Sequence, residues 1–266
     1  MPHTRKRFGQ HFLEPVWADK VVDAIAPSQH DVFLEIGAGP GILTLRLALR
    51  VSRLVAVEID RDLIAALTPK LPPNASMMSG DVLELDLAAA LPSDAGPIRI
   101  AGNLPYNISS PILFRLLELE ARRPIADATL MLQREVADRI LAKPNTAEYG
   151  VLSVLIQWRA TVDKLLAIPP GAFRPPPEVR SALIRLRFRP PPFRLKDGAL
   201  FEQMVRSMFT QRRKTVANAL APFAAGINRD PGAALAAAGI EPRRRPETLE
   251  VIEIARLADT FAAPKT

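Results

Sequence analysis

The chain has 266 residues, a formal net charge of +7 and no cysteine. Its length suffices for one large domain and a small one, and the lack of cysteine excludes disulfides, thiolate metal sites and a cysteine nucleophile. The sequence pI of about 10.1 favours a polyanionic partner such as nucleic acid, although general solubility is the plainer explanation of a positive charge.

The start of the chain carries three adjacent basic residues, Arg5, Lys6 and Arg7, with no apolar segment behind them. No later stretch is apolar for long enough to cross a bilayer, so we expect a cytoplasmic protein without membrane contact. The three histidines share no spacing typical of metal ligands, and we expect no metal site. Nothing in the sequence demands a partner chain, so we expect a monomer.

Apolar runs of strand length alternate with helical patterns up to about Ile140, which is typical of βαβ units around a parallel sheet. The predicted helices of this part are 16–26, 60–70, 109–121 and 135–141. The predicted strands are 32–36, 54–58, 75–78, 98–102 and 127–132. Residues 149–158 and 181–188 are predicted to pair as the last strands of the sheet.

The Arg-Pro-Pro-Pro run at 189–192 indicates a linker, because proline interrupts regular structure and the pattern beyond it is helical. Four helices, at 200–209, 215–223, 232–238 and 246–261, are predicted to form a small bundle. The sequence therefore predicts an α/β domain at 1–190 and an all-helical domain at 191–266.

A glycine loop, Gly37-Ala38-Gly39-Pro40-Gly41, follows the first of the buried strands. Such a loop could bind a phosphate or a carboxylate through its backbone N–H groups. Ile42 stands where a dinucleotide fingerprint would have its third glycine, so that fingerprint is not matched. We regard Gly37 and Gly39 as cofactor-binding candidates, although glycines alone are weak evidence.

Two acids follow the next two strands. Glu58 ends a buried strand about twenty residues after the first glycine, where a ribose diol would lie. Asp81 follows a third strand, and its carboxylate could accept a hydrogen bond from the amino group of a cofactor adenine. For either acid alone, a solvated loop carboxylate is the plainer interpretation.

The motif Asn103-Leu104-Pro105-Tyr106 follows the fourth strand and predicts methyl transfer to adenine. The Asn103 amide oxygen and the Leu104 carbonyl could accept the two hydrogens of an adenine N6 amine and align it with an incoming methyl group. Pro105 restricts the conformation of the preceding residue, and Tyr106 could stack on an extruded base. A simple turn after a strand is the alternative for the motif in isolation. Ligands of doubly wound sheets gather at successive strand ends, so the context favours a common cavity.

These motifs resemble, over nearly the whole chain, the ribosomal RNA adenine N6,N6-dimethyltransferase family that modifies the 3′-terminal hairpin of 16S ribosomal RNA. The matching segments are 7–13 (Arg-Phe-Gly-Gln-His-Phe-Leu), 34–41, 57–60, 102–109, 131–136 and 173–179 (Phe-Arg-Pro-Pro-Pro-Glu-Val). The resemblance implies a Rossmann-like methyltransferase sheet with a small C-terminal helical domain. It implies S-adenosylmethionine as cofactor, with contacts at His11, Leu13, Gly37, Glu58, Asp81 and Asn103; many relatives have Asn at the position of His11.

The resemblance further implies that Phe173 lies on the face of the target base opposite Tyr106, and that two adjacent adenines are dimethylated. From the residues alone, Phe173 could equally be a core residue. Adenine methylation of 23S ribosomal RNA and a non-catalytic role in assembly of the small subunit remain alternatives. Clustered basic residues are expected to contact RNA in the small subunit or its precursor; they are Arg5, Lys6, Arg7, Arg212, Arg213, Lys214, Arg243, Arg244 and Arg245.

Overall fold

The structure, a computed structural model, describes residues 11–92 and 96–262. The strands in chain order are β1 Phe12–Leu13, β2 Val32–Ile36, β3 Arg53–Glu58, β4 Ala75–Ser79, β5 Ile98–Asn103, β6 Ile125–Gln133, β7 Ala160–Ile168, β8 Phe173–Arg174 and β9 Ser181–Phe188. The helices are α1 Pro15–Ile25, α2 Thr44–Ala48, α3 Arg61–Leu67, α4 Leu87–Ala90, α5 Ser109–Arg122, α6 Arg134–Leu141, α7 Val151–Arg159, α8 Gly198–Thr210, α9 Val216–Gly226, α10 Pro231–Ala237 and α11 Val251–Phe261.

Seven strands form one sheet in the order β4-β3-β2-β5-β6-β9-β7. Neighbouring strands from β4 to β6 run parallel, and β9 runs antiparallel to β6. The strand order reverses between β2 and β5, which is the switch point at which doubly wound sheets bind their ligands. The predicted α/β fold with a Rossmann-like sheet is confirmed.

Helix α1 shows how the sequence builds the core. Its apolar residues recur at helical spacing and bury Ala18, Val21, Val22 and Ile25 against the sheet. At its carboxyl end, the Arg99 guanidinium of β5 donates to the carbonyls of Ile25 (2.8 Å) and Ala26 (3.0 Å). A cation at this end complements the helix dipole, so α1 and the short strand β1 just before it are held against the sheet.

The chain divides into two compact units. The first contains the residues up to Ala137 together with Thr161–Phe188, and the second contains Asp138–Ala160 together with the chain from Arg189 onward. Helices α7 to α11 all belong to the second unit. The two-domain division at 190/191 remains a prediction about independently folding parts.

The prediction that residues 149–158 form a strand was wrong. Val151–Arg159 is the helix α7, and the sheet neighbours of β9 are β6 and β7. The run is apolar on every side, with Leu152 to Ile156 all buried, and periodicity cannot separate a buried helix from a buried strand in such a run. Strand β7, which the sequence prediction missed, takes the expected place in the sheet.

The helices of the second unit enclose aromatic residues. Trp158 of α7 packs against Phe193 and Phe201, with ring centroids 5.3 and 5.7 Å apart. Tyr149 is fully buried and donates its hydroxyl hydrogen to the Leu249 carbonyl at 3.0 Å. The four helices predicted after residue 198 are present, with the last one preceded by a 3-10 turn at Pro246–Thr248. No helix in the described ranges combines the length and apolar character that crossing a bilayer requires.

Candidate active site

A cavity of about 280 Å³ opens at the carboxyl ends of β2 to β5, within the first unit. This volume is near the lower end of the range for small-molecule sites. Its lining includes every predicted cofactor residue and every predicted catalytic residue except Phe173: His11, Leu13, Gly37, Gly39, Glu58, Asp81, Asn103, Leu104, Pro105 and Tyr106. The structure thus brings together residues from four successive strand ends; the roles assigned to them remain predictions.

Close packing of β2 against β5 brings the glycine loop next to the Asn103 motif. Gly102 pairs with Ile36, and a Cβ at Gly102 would lie 2.6 Å from the Ile36 carbonyl oxygen. Such a distance is far below a van der Waals contact, so only glycine allows the two strands to approach in this way. The end of β5 therefore lies beside the start of the loop.

The glycine loop is bonded directly to Glu58. Gly39 has a φ of +56°, a conformation that favours glycine, and its N–H donates to Glu58 Oε2 at 2.8 Å. The N–H groups of Ile59 and Asp60 donate to Oε1 of the same carboxylate, each at 2.9 Å. Three backbone donors therefore fix one carboxylate at the cavity wall.

Asp81 is held at the next strand end in a similar way. Its Oδ1 accepts the Leu83 N–H at 2.9 Å, and its backbone carbonyl accepts the N–H groups of Glu84 and Leu85. The carboxylate is half-buried and lines the cavity. A turn of the backbone thus orients the acid toward the cavity.

Glu35 is a cavity residue that the sequence prediction missed. It is the last residue but one of β2 and is 1% exposed, and within the described residues its Oε2 has no hydrogen-bond partner. Burial, with a smaller contribution from the charge of Glu58, raises the pKa of Glu35 to about 8, while the Thr44 hydroxyl opposes the rise. A charged residue inside an otherwise apolar strand was the signal that could have identified it.

Asn103 is oriented by a backbone contact. Its Nδ2 donates to the His11 carbonyl at 2.8 Å, and because a carbonyl can only accept, the amide nitrogen must face it. The Asn103 oxygen is left as the group that can accept a hydrogen bond elsewhere. The next residue, Leu104, is 1% exposed and donates its N–H to the Met131 carbonyl of β6 at 3.2 Å.

Tyr106 is contacted on its ring and at its hydroxyl. The ring stacks with the His11 imidazole, with centroids 5.5 Å apart and planes inclined by 24°. The hydroxyl lies 2.6 Å from Ser181 Oγ, and burial raises the pKa of Tyr106 while the Ser181 bond opposes the rise. Sequence reasoning missed Ser181, since 75 residues separate it from Tyr106 and it has no motif of its own.

Phe173 lies in the hydrophobic core and does not line the cavity. It is 2% exposed and belongs to the same core cluster as Leu13, its register partner in the β1–β8 pair. Pairing of β1 with β8 turns the Phe173 side chain inward. Its position agrees with the alternative that Phe173 is a core residue, and its contact with a target base remains a prediction.

The basic clusters of the second unit converge on one helix end. Arg213 and Lys214 precede α9, and the Val216 N–H at its start donates to the Arg244 carbonyl at 2.6 Å. This bond brings the second arginine cluster beside the first. The exposed members are Arg213, Lys214, Arg243 and Arg245.

The remaining two arginines of these clusters are bonded within the unit. Arg212 donates to Glu247 at 3.0 Å and to the Ala147 carbonyl at 2.6 Å. Arg244 makes a bidentate pair with Glu253 at 2.6 and 3.0 Å. Arg5, Lys6 and Arg7 lie outside the described residues. In the part of the chain that the structure describes, no group of three or more His, Cys, Asp or Glu could hold a metal ion.

Comparison with known sequences gives the same family along the whole chain. The family model for ribosomal RNA adenine dimethylase matches residues 1–260. A ribosomal RNA small subunit methyltransferase A from Aromatoleum aromaticum is 43% identical over 262 residues, covering 97% of this chain and 94% of the relative. The protein of that name from Xanthomonas euvesicatoria pv. vesicatoria is 44% identical over 263 residues, covering 97% of each chain.

Solved structures agree on the fold. A dimethyladenosine transferase from Plasmodium falciparum matches with a TM-score of 0.76 at 22% identity, covering 93% of this chain and 96% of the other. The 23S rRNA methyltransferase ErmE matches with a TM-score of 0.66 at 27% identity, covering 94% of this chain and 99% of the other. Both proteins share the arrangement of sheet and helices described above.

Proposed function

The chain belongs to the ribosomal RNA adenine dimethylase family, and from that premise we propose that it dimethylates N6 of two adjacent adenines in the 3′-terminal hairpin of small-subunit ribosomal RNA. The methyl donor in this proposal is S-adenosylmethionine. The observation that carries the proposal is the single cavity in which the glycine loop, Glu58, Asp81 and the Asn103 motif meet at the switch point of the sheet.

Sequence relationships favour the small-subunit target over the 23S alternative. The relatives named for the small subunit are 43% and 44% identical to this chain, whereas the 23S enzyme is 27% identical. All three comparisons cover more than nine-tenths of this chain. The larger similarity supports the small-subunit assignment.

The residues of the cavity fit S-adenosylmethionine. Three acids, Glu35, Glu58 and Asp81, line a space that would receive a molecule with a cationic sulfonium and an ammonium group. The unpartnered oxygen of Glu35, in the described part of the chain, is suited to a cationic donor. We assign the ribose hydroxyls to Glu58 and the adenine amino group to Asp81. Bound in this cavity, the cofactor supplies an electrophilic methyl group.

Asn103 and Leu104 orient the nucleophile in this proposal. With its nitrogen fixed by the His11 carbonyl, the Asn103 amide presents its oxygen to one N6 hydrogen of the target adenine. The Leu104 carbonyl accepts the other hydrogen, and Pro105 restricts the orientation of that carbonyl. Two acceptors favour a tetrahedral nitrogen whose lone pair points at the methyl group. Tyr106 stacks on the base, and no strong general base is required, since the amine becomes acidic once it is alkylated.

RNA binding is assigned to the exposed basic residues around the start of α9. Arg213, Lys214, Arg243 and Arg245 would contact phosphates, because neutralisation of phosphate charge supplies most of the affinity for RNA. Arg212 joins the two loops through Glu247, and Arg244 ties the second loop to α11 through Glu253. They would then act on RNA binding mainly by shaping this surface. The proposed partner is a 30S particle or its precursor.

Mass spectrometry of ribosomal RNA tests chemistry and target together. Purified 30S and 50S particles that lack the modification are incubated separately with the protein and isotopically labelled S-adenosylmethionine. Labelled N6,N6-dimethyladenosine at adjacent positions of the 16S hairpin is the expected result. Label confined to 23S RNA would support the alternative target, and absence of label in both RNAs would refute the proposed activity.

A further inference from the structure

The hydroxyl of Tyr106 is bonded to a buried serine at the start of β9. Ser181 Oγ lies 2.6 Å from the Tyr106 hydroxyl, and Ser181 is 2% exposed. A ring that only stacked on a base would need no hydroxyl, and phenylalanine would serve equally well. The bond therefore indicates that the orientation of the Tyr106 ring matters as well as its presence.

The two partners differ in how firmly the backbone holds them. Ser181 begins β9 and pairs with Gln133 at the end of β6, where the Arg134 N–H donates to the Arg180 carbonyl at 2.9 Å. Tyr106 belongs to the loop after β5, which is closed by an N–H···O bond of 3.2 Å from Ile108 to Pro105. The serine thus connects the side chain of a loop residue to the first residue of a strand within the sheet.

We propose that Ser181 is a positioning residue for methyl transfer, which fixes the plane of the Tyr106 ring and thereby the plane of the stacked adenine. This inference rests on the proposed function. Rotation of the ring would tilt the base and move its amine away from the Asn103 oxygen and the Leu104 carbonyl. A misplacement of about 1 Å can cost on the order of a hundredfold in rate, so we expect a loss of about tenfold or more without the bond.

A double-mutant cycle tests the proposal. Ser181→Ala, Tyr106→Phe and the double variant are compared in single-turnover methylation of 30S particles at saturating RNA and cofactor. Each single change removes the same hydrogen bond, so we expect similar losses in rate and no further loss in the double variant. The RNA concentration needed for half-maximal rate should change little. Ser153→Ala is the matched control, because Ser153 is also fully buried and bonds the Arg139 carbonyl of its own unit at 2.5 Å.

The ionisation of Tyr106 gives a readout that does not depend on activity. The chain has two tyrosines, and burial with the charges of Glu250 and Glu253 raises the pKa of Tyr149 strongly. The phenolate absorbance that develops first as the pH is raised therefore reports Tyr106. Since the Ser181 bond lowers the pKa of Tyr106, Ser181→Ala should shift this titration to higher pH, whereas Ser153→Ala should leave it unchanged.

The outcomes separate this inference from the proposed function. A normal rate for Ser181→Ala would overturn the positioning role, and so would losses that multiply in the double variant. Neither result would affect the proposed function if the protein without substitutions methylates 30S particles. An unchanged Tyr106 titration in Ser181→Ala would also overturn the positioning role. If the unmodified protein transfers no methyl group to 30S particles, the proposed function itself fails.

One face of the Tyr106 ring is in contact with a histidine side chain. The His11 imidazole stacks on this ring at 5.5 Å, and its Nδ1 lies 2.8 Å from the Pro175 carbonyl. A base that lay between the His11 and Tyr106 rings would hold them roughly 7 Å apart, because it needs one stacking distance on each side. The imidazole therefore fills the space between Tyr106 and the segment that follows β8.

We infer that His11 occupies the stacking position of the target adenine and has to leave it when the base enters. Imidazole is flat and carries hydrogen-bonding nitrogens, so it can stack on Tyr106 and bond to the Pro175 carbonyl much as a nucleobase would. This inference also rests on the proposed role of Tyr106. Removing the ring should expose the stacking face and strengthen binding of an adenine by several-fold.

Adenosine binding to the protein saturated with S-adenosylhomocysteine tests the inference, since the second ligand fills the cofactor position. The chain has three histidines, so the His11 ring proton can be assigned by NMR from a His11→Asn variant. We expect adenosine to shift this signal, and His11→Ala and His11→Asn to bind adenosine more tightly than the unmodified protein. Unchanged affinity in both variants would overturn the inference. Unchanged affinity in Tyr106→Ala would instead count against the proposed stacking role of Tyr106.

Discussion

The two halves of the cavity are built in different ways. The half to which the proposed function assigns the cofactor, called the cofactor half, contains Gly37, Gly39, Glu58 and Asp81. Backbone N–H groups fix it by donating to the Glu58 and Asp81 carboxylates. The half to which the proposed function assigns the adenine, called the base half, contains Asn103 to Tyr106. It depends on contacts with the His11 carbonyl and the Ser181 hydroxyl, which are 92 and 75 residues away from Asn103 and Tyr106 respectively.

Because of this difference, we expect cofactor binding and alignment of the target adenine to depend on different halves of the cavity. A site fixed by local backbone donors is formed before the ligand arrives and costs little reorganisation on binding. A site held by a few contacts with distant segments can change when a large RNA binds. We therefore expect changes in the cofactor half to alter cofactor affinity, and changes in the base half to alter the rate of methyl transfer.

Replacement of Asn103 should give the largest effect. Asn103→Ala removes the acceptor for one N6 hydrogen and the bond to the His11 carbonyl, so we expect the methylation rate on 30S particles to fall by roughly a hundred- to a thousandfold. The affinity for 30S particles should stay within a few-fold of normal. Single-turnover methylation and filter binding measure the two quantities.

Gln203→Ala, a change at an exposed amide side chain within α8, serves as the control and should behave normally in both assays. Near-normal methylation by Asn103→Ala would contradict the assignment of the base half. Equal losses of 30S affinity and rate would show that Asn103 acts in binding, and the distinction between the two halves would fail.

Replacement of Glu35 should increase the stability of the free protein. Burial holds the pKa of Glu35 at about 8, whereas the unfolded value is 4.5. Between these pH values the folded protein binds a proton that the unfolded chain releases, so the free energy of unfolding falls as the pH rises from 4.5 to about 8. Glu35→Gln removes this dependence and should stabilise the protein by on the order of 3 kcal/mol at pH 7.

Urea denaturation at pH 5, 7 and 8.5 without cofactor measures this effect. Glu84→Gln is the control, because Glu84 is an exposed acid of the same unit. A stability difference between Glu35→Gln and the unmodified protein that stays constant across the three pH values would show that Glu35 is ionised in the fold. The cofactor half would then carry a negative charge on Glu35 at pH 7 in addition to those of Glu58 and Asp81.

Replacement of Glu58 should separate the two halves most clearly. Glu58→Gln places an amide nitrogen where either the Gly39 N–H or the N–H groups of Ile59 and Asp60 need an acceptor. An unsatisfied donor costs about 1 to 3 kcal/mol, so cofactor affinity should fall roughly ten- to hundredfold. The rate at saturating cofactor should stay within a few-fold of normal, as measured by calorimetry and by the KM and kcat for S-adenosylmethionine. A fall in kcat with unchanged KM would contradict this separation.

The same difference explains how much the sequence could predict. Gly37, Glu58, Asp81 and Asn103 each follow an apolar run at its end, and strand ends of a parallel sheet meet at one edge whatever the details of packing. Ser181 and the inward turn of Phe173 depend on β9 pairing with β6 and on β8 pairing with β1. These pairings join segments far apart in the chain, and no local pattern around Ser181 or Phe173 encodes them. The strand prediction for residues 149–158 failed for another reason, since an apolar run without periodicity fits either a helix or a strand.

The exposed basic residues of the second unit should give the smallest effects, and these should fall on neither half of the cavity. Arg213→Ala or Arg243→Ala should weaken 30S binding by several-fold, and should reduce the slope of log affinity against log salt by roughly one for each phosphate that is no longer neutralised. The rate at saturating 30S should be unchanged, because in the proposed function these residues contact RNA phosphates only.

Arg229 provides the comparison within the same unit. It is exposed and follows the carboxyl end of α9, whereas the basic clusters surround the start of that helix, and eleven helical residues separate the two ends by about 16 Å. Arg229→Ala should therefore leave the salt slope unchanged. If Arg229→Ala weakened binding as much as Arg213→Ala, affinity would follow the total charge of the unit, and the convergence of the two clusters would have no separate role. A salt slope that falls only for Arg213 and Arg243 would identify the start of α9 as the part of the second unit that contacts phosphate.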